Sequence, residues 1–589
     1  MRFKKPIIAV TAVGMLALAA CGGSGSGTGN DGGSASGIDK EKLGDTGSGM
    51  DPTREGPVEI DGAAKGGTVK VISYAGLNSM DPTESYYLNT MSLLSGLVTR
   101  SLTQYVYDED SGQMILVPDL ATDLGTPNDD YTEWKFTIRE GVKWENGEPV
   151  TADDVRYGIL RSFDRASFPE GAAYSNDYFL DGDKYKGPYK SGTDYAGVTV
   201  DGNTLTIKMN KSFPDMPYWG AFPAIGPIPE GSDQPDKYRL HPWATGPYMF
   251  DKYTPEKSLT LVRNPNWDPK TDPGRTAYPD KYVFDFQMDS TQIDQILLAD
   301  KGEGQTTLTY DNVLAEDFRT FQSEHGDRLD LGGQPCTSYW APDYRKVTDL
   351  KVRQALAWAY PYKDAALAAG YVEGVTRIWG SNLLPPGIPA RTDYDALEGH
   401  QPGQTDTAKA KQLLEEAGQT GYEIKWLFAN DNPESVKAKD VVKKSLEEAG
   451  FKASPVASTV ADFSTERSNP NNDKINVRNA GWCSDWPSGG SWFPPVLGST
   501  NLDEEGLGAN YAAFSEAAVD KKIDEILLMP TEDQPAAWND LDKEIAEKYF
   551  PLFVVGYGGV AMAHGSKIVG SNVDTTLGMP TWKDMWVQN

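Results

Sequence analysis

The chain opens with a basic cluster, Arg2, Lys4 and Lys5, followed by an apolar run from Ile7 to Ala20 and then Cys21. The run is too short to cross a membrane comfortably and has the size of an export signal. Its end, Leu18-Ala19-Ala20-Cys21, reads as a lipobox: small residues before a cysteine that receives diacylglycerol and becomes the new N-terminus. The competing reading is an ordinary secretory signal with a chance cysteine. The cysteine falls where cleavage should occur, which favours lipidation of Cys21. Whatever folds after it folds outside the cytoplasm, where disulfides persist. No later segment of the 589 residues is a long uncharged apolar run. The mature body is therefore expected to be soluble and lipid-anchored to the outer face of the cell membrane.

Residues 22 to about 65 are rich in Gly, Ser, Thr and Asp, with almost no large apolar side chains. Such a segment cannot bury enough surface to fold, and it is expected to be a flexible linker with a reach of about 35 Å. Gly27 to Gly32 matches GxGxxG, but no strand precedes it and no helix follows, so it reads as low-complexity coincidence.

The formal net charge is -30, and -33 once Arg2, Lys4 and Lys5 are removed. Nucleic acid is excluded as a partner, because phosphate binding needs clustered Lys and Arg. At this length two or three domains are expected. Thr68–Ile72 reads as a first strand, and Tyr87 to Leu102 has helical apolar spacing. Trp134 to Arg139 alternates as a half-buried strand. Thr151 to Asp154 resembles an acidic capping box opening a helix with Val155, Ile159 and Phe163. Asp201-Gly202 sits between two strand patterns as a hairpin turn. Further on, helices alternate with strands. One helix is expected from about Leu350 to Ala369. Two others end in the same Leu-Glu-Glu-Ala-Gly, at Gly418 and Gly450, before strands from Glu423 and Phe451. Pro551 to Tyr557 reads as a last buried strand. This alternation implies an α/β protein, with two lobes suited to a small ligand.

Enzyme signatures are missing: there is no GxSxG, HExxH, P-loop or EF-hand loop. His241, His325, His400 and His564 are scattered, and no spacing suggests a metal or cofactor site. No CxxC exists among Cys21, Cys336 and Cys483. Carboxylate pairs carry no information in a chain with 85 acidic residues.

Four segments, in order, resemble the large extracytoplasmic solute-binding proteins of ABC transporters, the oligopeptide/dipeptide/nickel-binding family (family 5). They are Pro118-Asp119-Leu120-Ala121 through Trp134–Trp144 to Asn146–Val155; Ala244–Tyr248 with Leu261–Trp267; Asp349–Ala359; and Gly481-Trp482-Cys483-Ser484-Asp485-Trp486-Pro487. The resemblance implies a two-lobed periplasmic-binding-protein-like fold with a hinge and an extra inserted domain. Domain I would comprise 66–97, 236–335 and 550–589, domain II 98–235 and domain III 336–549. It implies a monomer that captures oligopeptides and delivers them to ABC permease transmembrane subunits, without catalysis or cofactor.

In oligopeptide binders similar to this chain, the acidic residue of Gly-Trp-Cys-x-Asp pairs with the peptide α-ammonium; here that is Asp485. Trp482 either lines a side-chain pocket or is a plain core tryptophan. The segment from Cys336 to Trp340 resembles one whose cysteine pairs with that of Gly-Trp-Cys, which implies a Cys336–Cys483 disulfide. Tyr339 would then lie at the cleft wall, and Tyr557 is a weaker ligand candidate. Trp486-Pro487-Ser488-Gly489 departs from the family's usual residues there. Rival readings are a binder of oligosaccharide or another small solute, a secreted glycan hydrolase, and a purely structural surface lipoprotein.

Overall fold

The computed structural model describes residues 49–109, 111–502 and 506–588. The export signal and Cys21 lie outside these residues. The described chain forms two compact units: Gly47–Leu331 with Ala561–Asn589, and Gly332–Val560. They are called here the large and the small unit. The chain passes from one to the other inside two strands, Leu329–Pro342 and Phe553–Ala563.

The large unit is built on a five-stranded sheet in the order Thr307–Leu308, Thr68–Ile72, Lys281–Asp285, Ser258–Arg263, Tyr248–Thr254. The first three strands run parallel and the rest antiparallel. Its Val69, Val71 and Phe284 share one buried core with Leu97 and Trp582. A second sheet carries Glu133–Thr137, whose alternating burial is the amphipathic pattern read from Trp134 onward. The hairpin at Asp201-Gly202 forms, with Gly202 at φ +60°. Thr151 caps the helix Ala152–Arg161 reciprocally with Asp154. The helix expected over 87–102 is shorter. It runs Leu88–Leu93, widens to a π turn over Leu94–Val98, and is extended at Thr99. Gly96 lies against the Trp582 ring, which leaves no room for a β-carbon.

The linker expectation is overturned for its last third. Gly49–Met50 adds as a parallel strand to Gln113–Pro118, and the chain that follows is seated on the large unit. Backbone pairing and polar contacts hold it, so its poverty in large apolar side chains does not prevent docking.

In the small unit, the sheet order is Arg377–Ile378, Phe553–Ala563, Leu329–Pro342, Val477–Cys483. Its two faces feed two cores: Tyr339, Ala341 and Trp482 in one, Trp340 and Val477 in the other. A parallel pair, Glu423–Ala429 and Lys452–Ser458, is connected by the helix Pro433–Glu448. The two Leu-Glu-Glu-Ala-Gly stretches do stop helices, with Gly418 and Gly450 at positive φ. The single helix expected over 350–369 is two, Leu350–Ala359 and Tyr362–Ala368. Pro361 explains the break: it lacks an N–H and pushes Tyr360 to an extended conformation.

Four fully buried charges tie segments of the large unit together. Arg100 Nε lies 2.6 Å from Asp119, and Arg275 Nη1 lies 2.9 Å from Asp119 and 3.2 Å from Asp272. Burial alone would raise the Asp272 carboxyl, but Arg275 and Arg100 hold it far below the usual carboxylate range. Removing one member leaves uncompensated buried charge. Asp119→Ala is therefore expected to destabilise the large unit by about 3–5 kcal/mol. Denaturant unfolding measures this, and a loss under about 1 kcal/mol would contradict it.

Candidate functional site

Of the residues singled out in the sequence, Tyr339, Trp482 and Cys483 lie on one strand pair of the small unit, and Tyr557 lies on the neighbouring strand Phe553–Ala563. Leu329–Pro342 and Val477–Cys483 run antiparallel with Cys336 opposite Cys483, Thr337 opposite Trp482 and Tyr339 opposite Ala480. The two cysteines are joined by a disulfide. Among the described residues, Val477–Cys483 is the edge strand of its sheet.

Asp485 follows that edge, two residues past the disulfide, and is half-buried. Its loop is fixed from several sides. Ser484 N donates to Pro335 O at 2.7 Å, anchoring the loop to the neighbouring strand. Beyond it, Ser491 Oγ donates to Trp486 O at 2.8 Å, and Gly490 N donates to Ser488 Oγ at 3.0 Å. Trp486 itself is buried. The Trp-Pro-Ser-Gly departure noted in the sequence thus builds a compact turn directly after Asp485.

Trp482 is 7% exposed and packs with Tyr339 and Trp492 in the core. Its indole N–H donates to Ser491 O at 2.9 Å. This side chain therefore supports the loop that carries Asp485. Tyr339 is 1% exposed, and its hydroxyl has no hydrogen-bond partner. Burial pushes the phenol well up, with Tyr511 adding to the effect and Arg467 opposing it. Tyr557 is also buried: its hydroxyl donates to Asn382 O at 2.9 Å and accepts from Arg391 Nη2 at 2.9 Å. Gly380 packs on its ring with no space for a β-carbon. Arg391 thus organises the surroundings of Tyr557, a role that no motif signals.

A second polar constellation, missed by sequence reasoning, lies on the large unit. There the parallel strands Thr68–Ile72 and Thr307–Leu308 end side by side. The carboxyl ends of parallel strands are the usual place for ligands in open α/β sheets. Asp311 accepts from Tyr74 N at 2.8 Å and from Ser73 Oγ at 3.2 Å. Tyr74 is 36% exposed, and the Tyr310 hydroxyl is buried near Ser73 and Asn89. Burial raises the Asp311 carboxyl to about 7. The Ser73 and Asp311 signal is non-local, joining positions 238 residues apart.

The four histidines are not brought together: His241 pairs with Glu145, His400 with Gln404 O, and His564 with Asp330. Among the described residues, no group of three or more His, Cys, Asp or Glu side chains could hold a metal.

Two expectations follow from these environments. Tyr339→Phe removes an orphaned hydroxyl, so stability should be unchanged or raised by up to about 1 kcal/mol; a loss above that, by denaturant unfolding, would reveal a hidden partner. Burial also raises Asp294, Asp311 and Asp584 to about 7 and Asp542 to about 6. Their folded values exceed the unfolded value of 3.8, so their contribution is full below that pH and is lost as pH rises through 6 to 7. His400, which burial lowers, acts oppositely but is one group. Calorimetric Tm should therefore fall from pH 5 to pH 7; a flat or rising profile would contradict this.

The chain is 23% identical over 437 residues to the periplasmic oligopeptide-binding protein OppA of Salmonella typhimurium, covering 71% of this chain and 76% of that protein. It is 24% identical over 476 residues to the heme-binding protein A of Haemophilus influenzae, covering 75% and 80%. Its fold matches the solved structure of the clavulanic acid biosynthesis oligopeptide binding protein 2 with a TM-score of 0.81 at 24% identity, over 93% of this chain and 100% of that one. Residues 116–504 match the model of the bacterial extracellular solute-binding proteins, family 5 middle region. Chain order, two-unit architecture and this match agree, and the chain belongs to the bacterial extracellular solute-binding proteins, family 5.

Proposed function

We propose that this protein is the extracytoplasmic binding component of an ABC importer, taking oligopeptides and passing them to permease transmembrane subunits. The observation that carries the reading is Asp485 just past the end of an edge strand, between the disulfide and the turn that follows it. An extended peptide can add its main chain to such an edge, and a carboxylate at its end can pair with the α-ammonium. The names of the OppA relative and of the solved neighbour support a peptide ligand. Trp482 and Cys483 then act as supports of Asp485, and Tyr339 and Tyr557 as buried parts of the same lobe.

The reading involves no chemical step and no cofactor. It takes the chain as a monomer, lipidated on Cys21 and so held at the outer face of the cell membrane. It divides the body into domain I (66–97, 236–335, 550–589), domain II (98–235) and domain III (336–549). Among the described residues, no helix is long and apolar enough to cross a membrane.

Native mass spectrometry of the purified protein, followed by calorimetry with peptide pools, tests this. Short heterogeneous peptides are expected to co-purify. Asp485→Ala should cost about 2–5 kcal/mol of binding, at least about 30-fold in Kd. Peptide binding indifferent to Asp485 would remove the ammonium anchor. A co-purified tetrapyrrole or sugar would overturn the peptide reading.

A further inference from the structure

Residues 49–65 were expected to be slack linker, and with Gly66 they make specific contacts instead. Gly49 and Met50 pair with Ile115 and Leu116, and Asp51 N continues the ladder to Leu116 O at 3.0 Å. Asp51 also folds the next turn by accepting from Thr53 N at 2.9 Å and Thr53 Oγ1 at 2.8 Å. Arg54 Nε donates to Pro273 O at 3.2 Å. Glu55 pairs with Arg139 Nη1 at 2.6 Å, and the Arg139 side chain is only 11% exposed. Gly56 passes so close to the carbonyls of Asp272 and Pro269 that a β-carbon would collide with both. Ile60 N donates to the Tyr278 hydroxyl at 3.0 Å, and Gly66 N to Tyr278 O at 2.8 Å.

These partners come from two parts of the large unit. Leu116 and Arg139 belong to the segment inserted between Thr68–Ile72 and Tyr248–Thr254. Asp272, Pro273 and Tyr278 lie in the loop before Lys281–Asp285. We propose that residues 49–66 are a docked strap that clips the inserted segment to the main sheet and fixes the point beside Ile115 from which the membrane tether departs. The strap also covers one edge of the strand Gln113–Pro118, closing it to unwanted pairing. The tether's length is then the 27 residues from 22 to 48. The strap's docking stands independently of lipidation; the tether's role rests on the lipidation of Cys21 proposed above.

The test uses the full mature chain with two variants, Gly56→Ala, which wedges the strap off Asp272, and the milder Glu55→Ala. Hydrogen exchange read by mass spectrometry should show residues 49–66 protected, with exchange at least ten-fold faster in Gly56→Ala and intermediate in Glu55→Ala. Peptide affinity should stay within about two-fold. Fast exchange of 49–66 in the unaltered protein, or no change in either variant, would overturn the strap. The second arm places the lipidated protein, with a donor dye on Ser111→Cys, on phosphatidylcholine vesicles carrying a headgroup acceptor. Releasing the 18 residues from 49 to 66 lengthens the tether from 27 to 45 residues, so energy transfer should fall in Gly56→Ala. Unchanged transfer would overturn the fixed departure point. No vesicle binding at all would refute the lipid anchor and with it the tether role, while hydrogen exchange still decides the strap.

Discussion

The candidate site depends on one register, Cys336 opposite Cys483. Side chains alternate faces along a strand, so a slip of one residue would send Trp482 to the face of Trp340 and turn its neighbours outward. The disulfide forbids that slip. With the register set, Tyr339 and Trp482 enter one core, Trp340 and Val477 enter the other, and the sheet is buried on both sides. Asp485 then emerges at a defined place, just past the covalent link and at the sheet's edge.

What surrounds that carboxylate is support of several kinds. A tryptophan bonds the loop from the core side, a serine folds the turn on a carbonyl, and a backbone N–H ties the loop to the neighbouring strand. Such support leaves the loop around Asp485 little conformational freedom, so little ordering of it would remain to be done on binding. Tyr557 is stabilised in the same manner by Arg391 and Asn382, but its hydroxyl is spent on those partners.

The large unit uses a different device, a buried quartet of two arginines and two aspartates. Such a cluster adds little net stability over apolar packing, but it tolerates no missing member. The strap runs directly over it, since Gly56 contacts the carbonyl of Asp272. The ion cluster and the strap therefore meet at the junction of the inserted segment and the main sheet. That placement gives the N-terminal segment a structural duty that its composition does not advertise.

Local signals in the sequence were sufficient where the physics is local. The capping box at Thr151, the turn at Gly202 and the glycine stops at 418 and 450 each need only a few adjacent residues, and each formed. The same reasoning failed at Pro361 by extending an apolar periodicity through a residue that cannot donate a hydrogen bond. Motif likeness led to Asp485 and to the two cysteines, whose types and order are carried in the chain itself. Burial of Tyr339, the anchoring of Tyr557 by Arg391, the meeting of Ser73 with Asp311, and the seating of residues 49–66 were decided only by tertiary structure. Each depends on groups far apart in sequence, whose proximity is set by packing and strand register and leaves no periodic trace along the chain.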